Sequence, residues 1–387
     1  MAIDVVTRRR GIDMVKRYIP VAEPIFDHGE LENVTLAIRE KAISGFFGQF
    51  IERFENEVAS FVACRHGVAV SSGTVAIHLA LLALDIGPGD EVLVATYTNM
   101  ATFFPVLYVG GTPIPIDVEP DTWNIDPAQI EQHITPRTRA IIVVHIFGHP
   151  VDMDPVMEIA RRHKLYVIED CAEAHGALYK GRPVGSIGTV GCFSFYANKI
   201  ITTGEGGMVT SNDEGIARRV TSLKSLAFGT ADKFMHQEIG YNYRMTNLQA
   251  AIGCAQMPKI GKLIAGKRNL AAAYNRRLNG HTHLQLPVEK GYAKNVYWMY
   301  HVVLTDSRRK QRDQVMRELR ERGIETRAGF TPYNMQRIFI EKGMTSPELC
   351  PVANNLARNA FYLPSTPGLP ETDVDYVVES LLDVLEH

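Results

Sequence analysis

The sequence predicts an α/β fold, a large and mostly parallel sheet followed by a smaller α/β unit, on three observations. Between about residues 73 and 211, short β-branched runs alternate with helical patterns, the arrangement that covers both faces of a parallel sheet with helices. The chain has 387 residues, 45% of them hydrophobic and 22% charged, enough to bury a large core and to divide into two domains. Near residue 260 the pattern restarts, with YHVVLTD and GIETRAGF reading as strands around the helix RDQVMRELRERG. The expected division is an N-terminal arm and large domain over residues 1–260 and a small C-terminal domain over 261–387.

Taken in order, the first twenty residues carry basic side chains but no continuous apolar run, so they read as a short arm and not as a signal peptide or membrane anchor. The strand candidates are EVLVAT, TPIPID, RAIIVVHIFG, LYVIED, CFSFY and GGMVTS. After Gly73 a helix is marked by Thr74, Ile77, Leu81 and Leu84 at 3-4-3 spacing, and Gly87-Pro88-Gly89 ends it. Asp154-Pro155 reads as an N-cap with proline in the first helical position, opening the helix through MEIARRHK. Past Asn247, helical patterning runs through AAIGCAQ and KRNLAAAYNRRL.

Charge and cysteine usage narrow the function. A net charge of -2 and a pI of about 6.7 supply no basic field for a nucleic acid or an anionic membrane. The five cysteines are odd in number, scattered and without a CxxC pair, against a disulfide framework and against a metal site, and in favour of a cytoplasmic setting.

Four features fall where strand ends of such a sheet bind ligands. In SSGT (71–74), small residues lead into a helix and leave backbone N–H groups free for a phosphate, or simply cap the helix. In VIEDCAEAHG, Asp170 closes an apolar strand and needs a cationic or hydrogen-bonding partner, such as a protonated pyridine nitrogen, unless it only caps the next turn. In SFYANKIITTGEGGM, Ser194 and Lys199 are five residues apart, so a hydroxyl can reach a phosphate while an amine reaches another part of the same ligand. Shielding by Phe, Tyr and Ile would lower the amine's pKa and make it nucleophilic; an ordinary surface lysine is the plain alternative. The fourth, GYNYRMTN (240–247), is a polar and aromatic loop.

Together, FIERFENEVASF, SSGTVAIHLALLAL, GHPVDMDPVMEIA, VIEDCAEAHGA, FSFYANKIITTGEGGM and GYNYRMTNLQAAIG resemble the DegT/DnrJ/EryC1/StrS sugar aminotransferases over nearly the whole chain. That resemblance implies the fold-type I architecture, with a seven-stranded-type sheet, and pyridoxal 5'-phosphate as cofactor. It makes Lys199 the Schiff-base lysine and proton carrier, and Asp170 the partner of the pyridine nitrogen. Glu173 would lie near the cofactor's phenolic oxygen, and Gly73, Thr74 and Ser194 around its phosphate. Asn242 would reach the phosphate of a neighbouring subunit, so a homodimer with shared sites is implied. At Asn99 the family usually has an aromatic residue stacked on the ring, so either this amide covers the ring or Tyr97 supplies the missing face. His175, Tyr333 and Asn334 are the candidates for substrate contact, Asn334 standing where many relatives have histidine.

The implied reaction moves an amino group from L-glutamate to the C4 ketone of a nucleotide-linked 4-keto-6-deoxy sugar, with GDP-4-keto-6-deoxy-D-mannose the first candidate. The same chemistry on a UDP- or dTDP-linked keto sugar, a cyclitol ketone or a small keto phosphate is the alternative. A sugar 3-dehydratase is disfavoured because relatives of that type replace the lysine with histidine. A non-catalytic sensor or scaffold that binds the cofactor is the reading from another class, and retention of Lys199, Asp170 and Ser194 together speaks against it.

Overall fold

The computed structural model describes residues 17–229, 232–306 and 310–386. Residues 1–16 of the expected arm lie outside them.

The central sheet has seven strands: β1 (His66–Val70), β2 (Glu91–Ala95), β3 (Thr112–Ile116), β4 (Thr138–Val144), β5 (Tyr166–Asp170), β8 (Val190–Ser194) and β9 (Gly207–Ser211), in the order β1-β9-β8-β5-β4-β2-β3. From β3 through β8 every pairing is parallel, while β9 is antiparallel to both β8 and β1. Thus β9 alone runs against the rest. The short strands β6 (Leu178–Tyr179) and β7 (Arg182–Pro183) form a hairpin that β11 (Ala293–Lys294) joins.

Both faces of the sheet are buried, which is why its strands read as apolar runs and not as an alternation. Residues still sort by parity. Val92, Val94, Ile142 and Ile168 face one core, with the helices α3 (Gly73–Ala83), α4 (Met100–Tyr108) and α7 (Glu214–Leu223). Leu93, Ala95, Ile141, Val143 and Val167 face the other. That side is covered by α2 (Phe50–Phe61), α6 (Met153–His163) and α8 (Asn247–Gln256), with α1 (His28–Arg39) packed on α8. The single turn α5 (Pro127–Ile130) lies between β3 and β4.

A second, antiparallel sheet is built from β10 (Leu284–Gln285), β12 (Tyr300–Leu304), β14 (Ala360–Leu363) and β13 (Arg327–Ala328), in that order. The helices α9 (Ile260–Leu278), α10 (Arg312–Glu321), α11 (Arg337–Glu341), α12 (Pro351–Asn359) and α13 (Glu371–Glu386) accompany it. Among the described residues no helix is long and apolar enough to cross a membrane.

Several local expectations change. The helix expected from Asp154-Pro155 begins at Met153, with Asp152 at the N-cap. Proline is tolerated one turn in because the first N–H groups of a helix have no partner to lose. The Asp152 carboxylate does not cap; it accepts from the Tyr179 hydroxyl at 2.6 Å, and the Tyr179 oxygen takes the Asp154 N–H at 3.1 Å. GIETRAGF shrinks to the two strand residues Arg327 and Ala328, paired with β14. Neither β14 nor β1, whose sequence HGVAV opens with polar and small residues, stood out in the sequence.

Candidate active site

The carboxyl ends of β1, β2, β4, β5 and β8 converge on a cavity of about 370 Å³. Gly73, Thr74, Asn99, Asp170, Glu173, Ser194 and Lys199 all line it.

At one end, Ser72 caps α3 by accepting the Val75 N–H. The motif therefore caps its helix, and the first helical residues, Gly73 and Thr74, line the cavity. A Cβ on Gly73 would come within 2.7 Å of Ser194 Cβ, so only glycine lets the helix start lie against the end of β8. A helix N-terminus beside a serine hydroxyl is a place for a phosphate.

At the centre, Asp170 Oδ2 accepts from the Thr102 hydroxyl at 2.8 Å and Oδ1 from the Ala172 N–H at 3.0 Å. Burial raises the Asp170 pKa, opposed by these two bonds and by the Lys199 charge. A cationic N–H in the cavity would complete its pairing. Burial likewise pushes Glu173 up to about 7, against the pull of Lys199. Glu173 Oε2 accepts the Phe147 N–H at 2.7 Å. Phe147 holds this bond with φ at 51°, left-handed backbone that a bulky residue rarely adopts.

The Lys199 amine makes no hydrogen bond or ion pair among the described residues, while its backbone N–H donates to the Tyr196 carbonyl at 2.9 Å. Its Nζ lies 3.9 Å from the centroid of the Trp298 ring. Burial lowers its pKa, while Glu173 and Asp170 oppose the shift. An amine with a depressed pKa, an aromatic face beneath it and two carboxylates nearby is set up for covalent chemistry with a carbonyl.

Behind Asp170, Val151 donates its N–H to His145 Nδ1 at 3.0 Å, which leaves Nε2 to carry the proton toward Glu169 Oε2 at 3.1 Å. Glu169 also accepts from Gly185, Ile187 and Gly188. Burial alone would raise its pKa, but His145 and these N–H groups bring it below the usual value. His145, Glu169 and Cys171 lie together, yet the nitrogens of His145 and the oxygens of Glu169 are already hydrogen-bonded.

Five sequence candidates stand elsewhere. Tyr97 does not face the cavity: it is buried, with its hydroxyl 2.8 Å from His301 Nε2, so it supplies no face for a ring there. Asn99 does line the cavity, but its Oδ1 caps α4 through the Ala101 N–H at 2.9 Å. His175 is packed in the core between Phe193 and Phe195, and burial drives its pKa down to about 3. Tyr333 is buried between Phe103 and Phe339, with centroids at 4.5 and 4.4 Å. Asn334 accepts from the Thr96 hydroxyl at 3.0 Å and donates to Asn354 Oδ1 at 2.8 Å, a buried tie between the loop after β2 and α12. Asn242 is exposed and accepts from Arg244 Nη2 at 2.7 Å, outside the cavity of its own chain.

The sequence reading missed Thr102, Trp298, Arg327, Phe330 and Tyr362, all of which line the cavity. Arg327 and Tyr362 are register partners across β13 and β14. Among the described residues the Arg327 guanidinium has a carboxylate only at 3.5 Å, from Glu325. Only Thr102 carried a signal, a hydroxyl four residues after Thr98 at the start of an apolar helix.

The profile of the DegT/DnrJ/EryC1/StrS aminotransferase family matches residues 24–382. The chain belongs to this family. It is 40% identical over 371 residues to the GDP-perosamine synthase of Caulobacter vibrioides, covering 95% of this chain and 98% of the relative. It is also 40% identical to that of Escherichia coli O157:H7, covering 94% and 98%. Among solved structures, an aminotransferase from Psychrobacter cryohalolentis superposes with a TM-score of 0.88 at 33% identity, covering 94% of this chain and 98% of that one. Membership makes the protein a pyridoxal 5'-phosphate-dependent sugar aminotransferase, built on the fold-type I architecture.

Proposed function

We propose that the protein moves an amino group from L-glutamate to the C4 ketone of GDP-4-keto-6-deoxy-D-mannose, giving GDP-perosamine. The observation that carries the choice of acceptor is the likeness to GDP-perosamine synthases, at 40% identity over nearly the full length of both chains.

The cavity fits the cofactor. The N-terminus of α3 at Gly73 and Thr74, with the Ser194 hydroxyl, would hold the phosphate. Asp170, kept in place by Thr102 and Ala172, would keep the ring nitrogen protonated, and Glu173 would stand beside the phenolic oxygen. When bound, the cofactor supplies the electron sink for the bond broken at the amino acid's α-carbon. Lys199 Nζ takes the proton from that carbon and returns it on the far side of the transfer, a general acid–base role that its lowered pKa suits. In the second half-reaction the same amine serves C4 of the sugar. Arg327, whose guanidinium is weakly paired and lines the same cavity, binds the carboxylate of the amino donor. Asn99 lies at the cavity wall with its amide fixed by the helix cap.

The active unit is a homodimer in which Asn242 serves the cavity of a second copy. Support comes from its exposure outside its own cavity and from exposed apolar side chains, among them Phe46, Phe47, Phe234 and Ile239. The enzyme works in the cytoplasm, where nucleotide sugars are made. Steady-state turnover with glutamate across GDP-, UDP- and dTDP-linked keto sugars tests the proposal. The GDP-linked 4-keto-6-deoxy sugar is expected to give the highest kcat/KM, and a preference for a UDP- or dTDP-linked acceptor overturns it.

A further inference from the structure

Trp298 forms the wall against which the Lys199 amine lies, and three polar contacts hold it there. Its N–H donates to the Phe147 carbonyl at 2.8 Å, and its indole N–H donates to the Asn198 carbonyl at 2.7 Å. The third contact comes from the small-domain side: Lys267 Nζ, on α9, donates to the Trp298 carbonyl at 2.7 Å. The same ammonium donates to the Ser365 carbonyl at 2.5 Å. Ser365 is itself fixed, its hydroxyl oxygen accepting the Tyr300 N–H at 2.8 Å and its N–H donating to the Val21 carbonyl at 2.7 Å. Lys267 thus clamps the connector that enters β12 to the one that leaves β14.

Lys267 is only 4% exposed and has no carboxylate partner among the described residues. Burial pushes its pKa down to about 7. A lysine in this position is costly, and a methionine would fill the space without that cost. Of the three contacts on Trp298, it is also the only one that another residue's side chain supplies.

We propose that Lys267 is a positioning residue for the amine chemistry: by holding the Trp298 carbonyl, it sets the indole face against Lys199. The inference rests on Lys199 being the reactive amine. The indole shields one side of Nζ from water and favours its cationic form through the ring face. The Phe147 ring lies nearly parallel to the indole, with centroids 6.2 Å apart and planes at 10°, so the indole contacts both Lys199 and the strained Phe147 turn. Release of the carbonyl lets the indole shift, and misplacement by about 1 Å in an oriented site lowers rates by up to about a hundredfold.

Two readouts test this. Lys267→Met keeps the length of the stem and deletes the donors, while Lys267→Gln keeps an N–H donor and serves as the milder variant. The chain has two tryptophans, so Trp123→Phe leaves Trp298 as the only indole. In that background, without cofactor, Lys267→Met is expected to move Trp298 emission to longer wavelength and to increase its quenching by acrylamide, with Lys267→Gln between it and the parent. In the holoenzyme, Lys267→Met is expected to slow the glutamate half-reaction by on the order of tenfold, read as loss of the band near ~410 nm. In a Trp298→Leu background the same change should alter that rate by less than about twofold, because the clamp has nothing left to position. Unchanged Trp298 emission overturns the inference, as does a rate loss carried in full into Trp298→Leu. A shifted emission in a protein that never develops the ~410 nm band upholds the clamp and removes the Lys199 reading instead.

Discussion

Gly73→Ala is the sharpest perturbation of the phosphate end of the cavity. The added Cβ would lie 2.7 Å from Ser194 Cβ and 3.3 Å from its Cα and Oγ. Carbon atoms rest about 3.5–4.0 Å apart, so one side must yield by about 1 Å. Ser194 is paired to Gly207 at the end of β8, and the helix start at residue 73 is fixed by the Ser72 cap, so neither backbone can move freely. Overpacking of this kind costs roughly 1–3 kcal/mol in stability. Displacement of the Ser194 hydroxyl also removes a hydrogen bond to an anion, about 1.5–3 kcal/mol, which is roughly 10- to 100-fold in affinity. The assay is titration of apoprotein with pyridoxal 5'-phosphate, followed by the band near ~410 nm, beside urea unfolding of each variant. Gly261→Ala is the control: a Cβ there meets nothing within 4 Å, so cofactor affinity should be unchanged. Binding by Gly73→Ala within about twofold of the parent would refute the packing argument and the placement of the phosphate with it.

Arg327→Gln should raise KM for glutamate by about tenfold or more and leave KM for the keto sugar nearly unchanged; the reverse pattern would move Arg327 to the nucleotide sugar. Glu169→Gln places an amide N–H against backbone donors, and should lower stability by roughly 3 kcal/mol in urea unfolding, against less than 1 kcal/mol if the carboxylate is dispensable. Lys267 has a folded pKa near 7 against an ordinary value of 10.5, so its contribution to stability is fully present above pH 10.5 and is lost as pH falls through about 7. The stability of wild type minus Lys267→Met should therefore rise with pH between 7 and 10.5, by at most about 1.4 kcal/mol per pH unit, and a flat difference in urea unfolding would contradict the burial argument.

What the sequence disclosed follows from how locally each feature is encoded. Asp170 and Ser194 end apolar strands and Lys199 follows one within five residues, so spacing places them at strand ends, whereas Gly73 follows β1, which did not stand out, and was marked by the SSGT motif and the family resemblance. Trp298, Arg327 and Tyr362 reach the same cavity from segments 99 or more residues beyond Lys199, through packing of the second sheet on the first, which no local period records. The misplaced candidates failed for the same reason. His175 and Tyr333 lie close in sequence to cavity residues, but their side chains enter the hydrophobic layers on either side of the sheet. Asn334 satisfies its amide inside the protein, which explains a polar residue there without a ligand. The reversed strand β9 was likewise beyond the sequence pattern, because GGMVTS is as apolar and as short as its parallel neighbours.

The central claim is that the half-buried Lys199 is the amine that carries the cofactor. Lys224 and Lys267 are more deeply buried, but Lys224 is paired with Glu55 and Lys267 holds two carbonyls, whereas Lys199 alone of the three lines the cavity. Borohydride treatment of the holoenzyme fixes the cofactor to whichever amine it is joined to, and peptide mass mapping then locates it. The account expects the adduct on the peptide that contains Lys199, and its loss when glutamate is added before the borohydride. An adduct on Lys224 or Lys267, or none on any lysine of a cofactor-loaded protein, would contradict it.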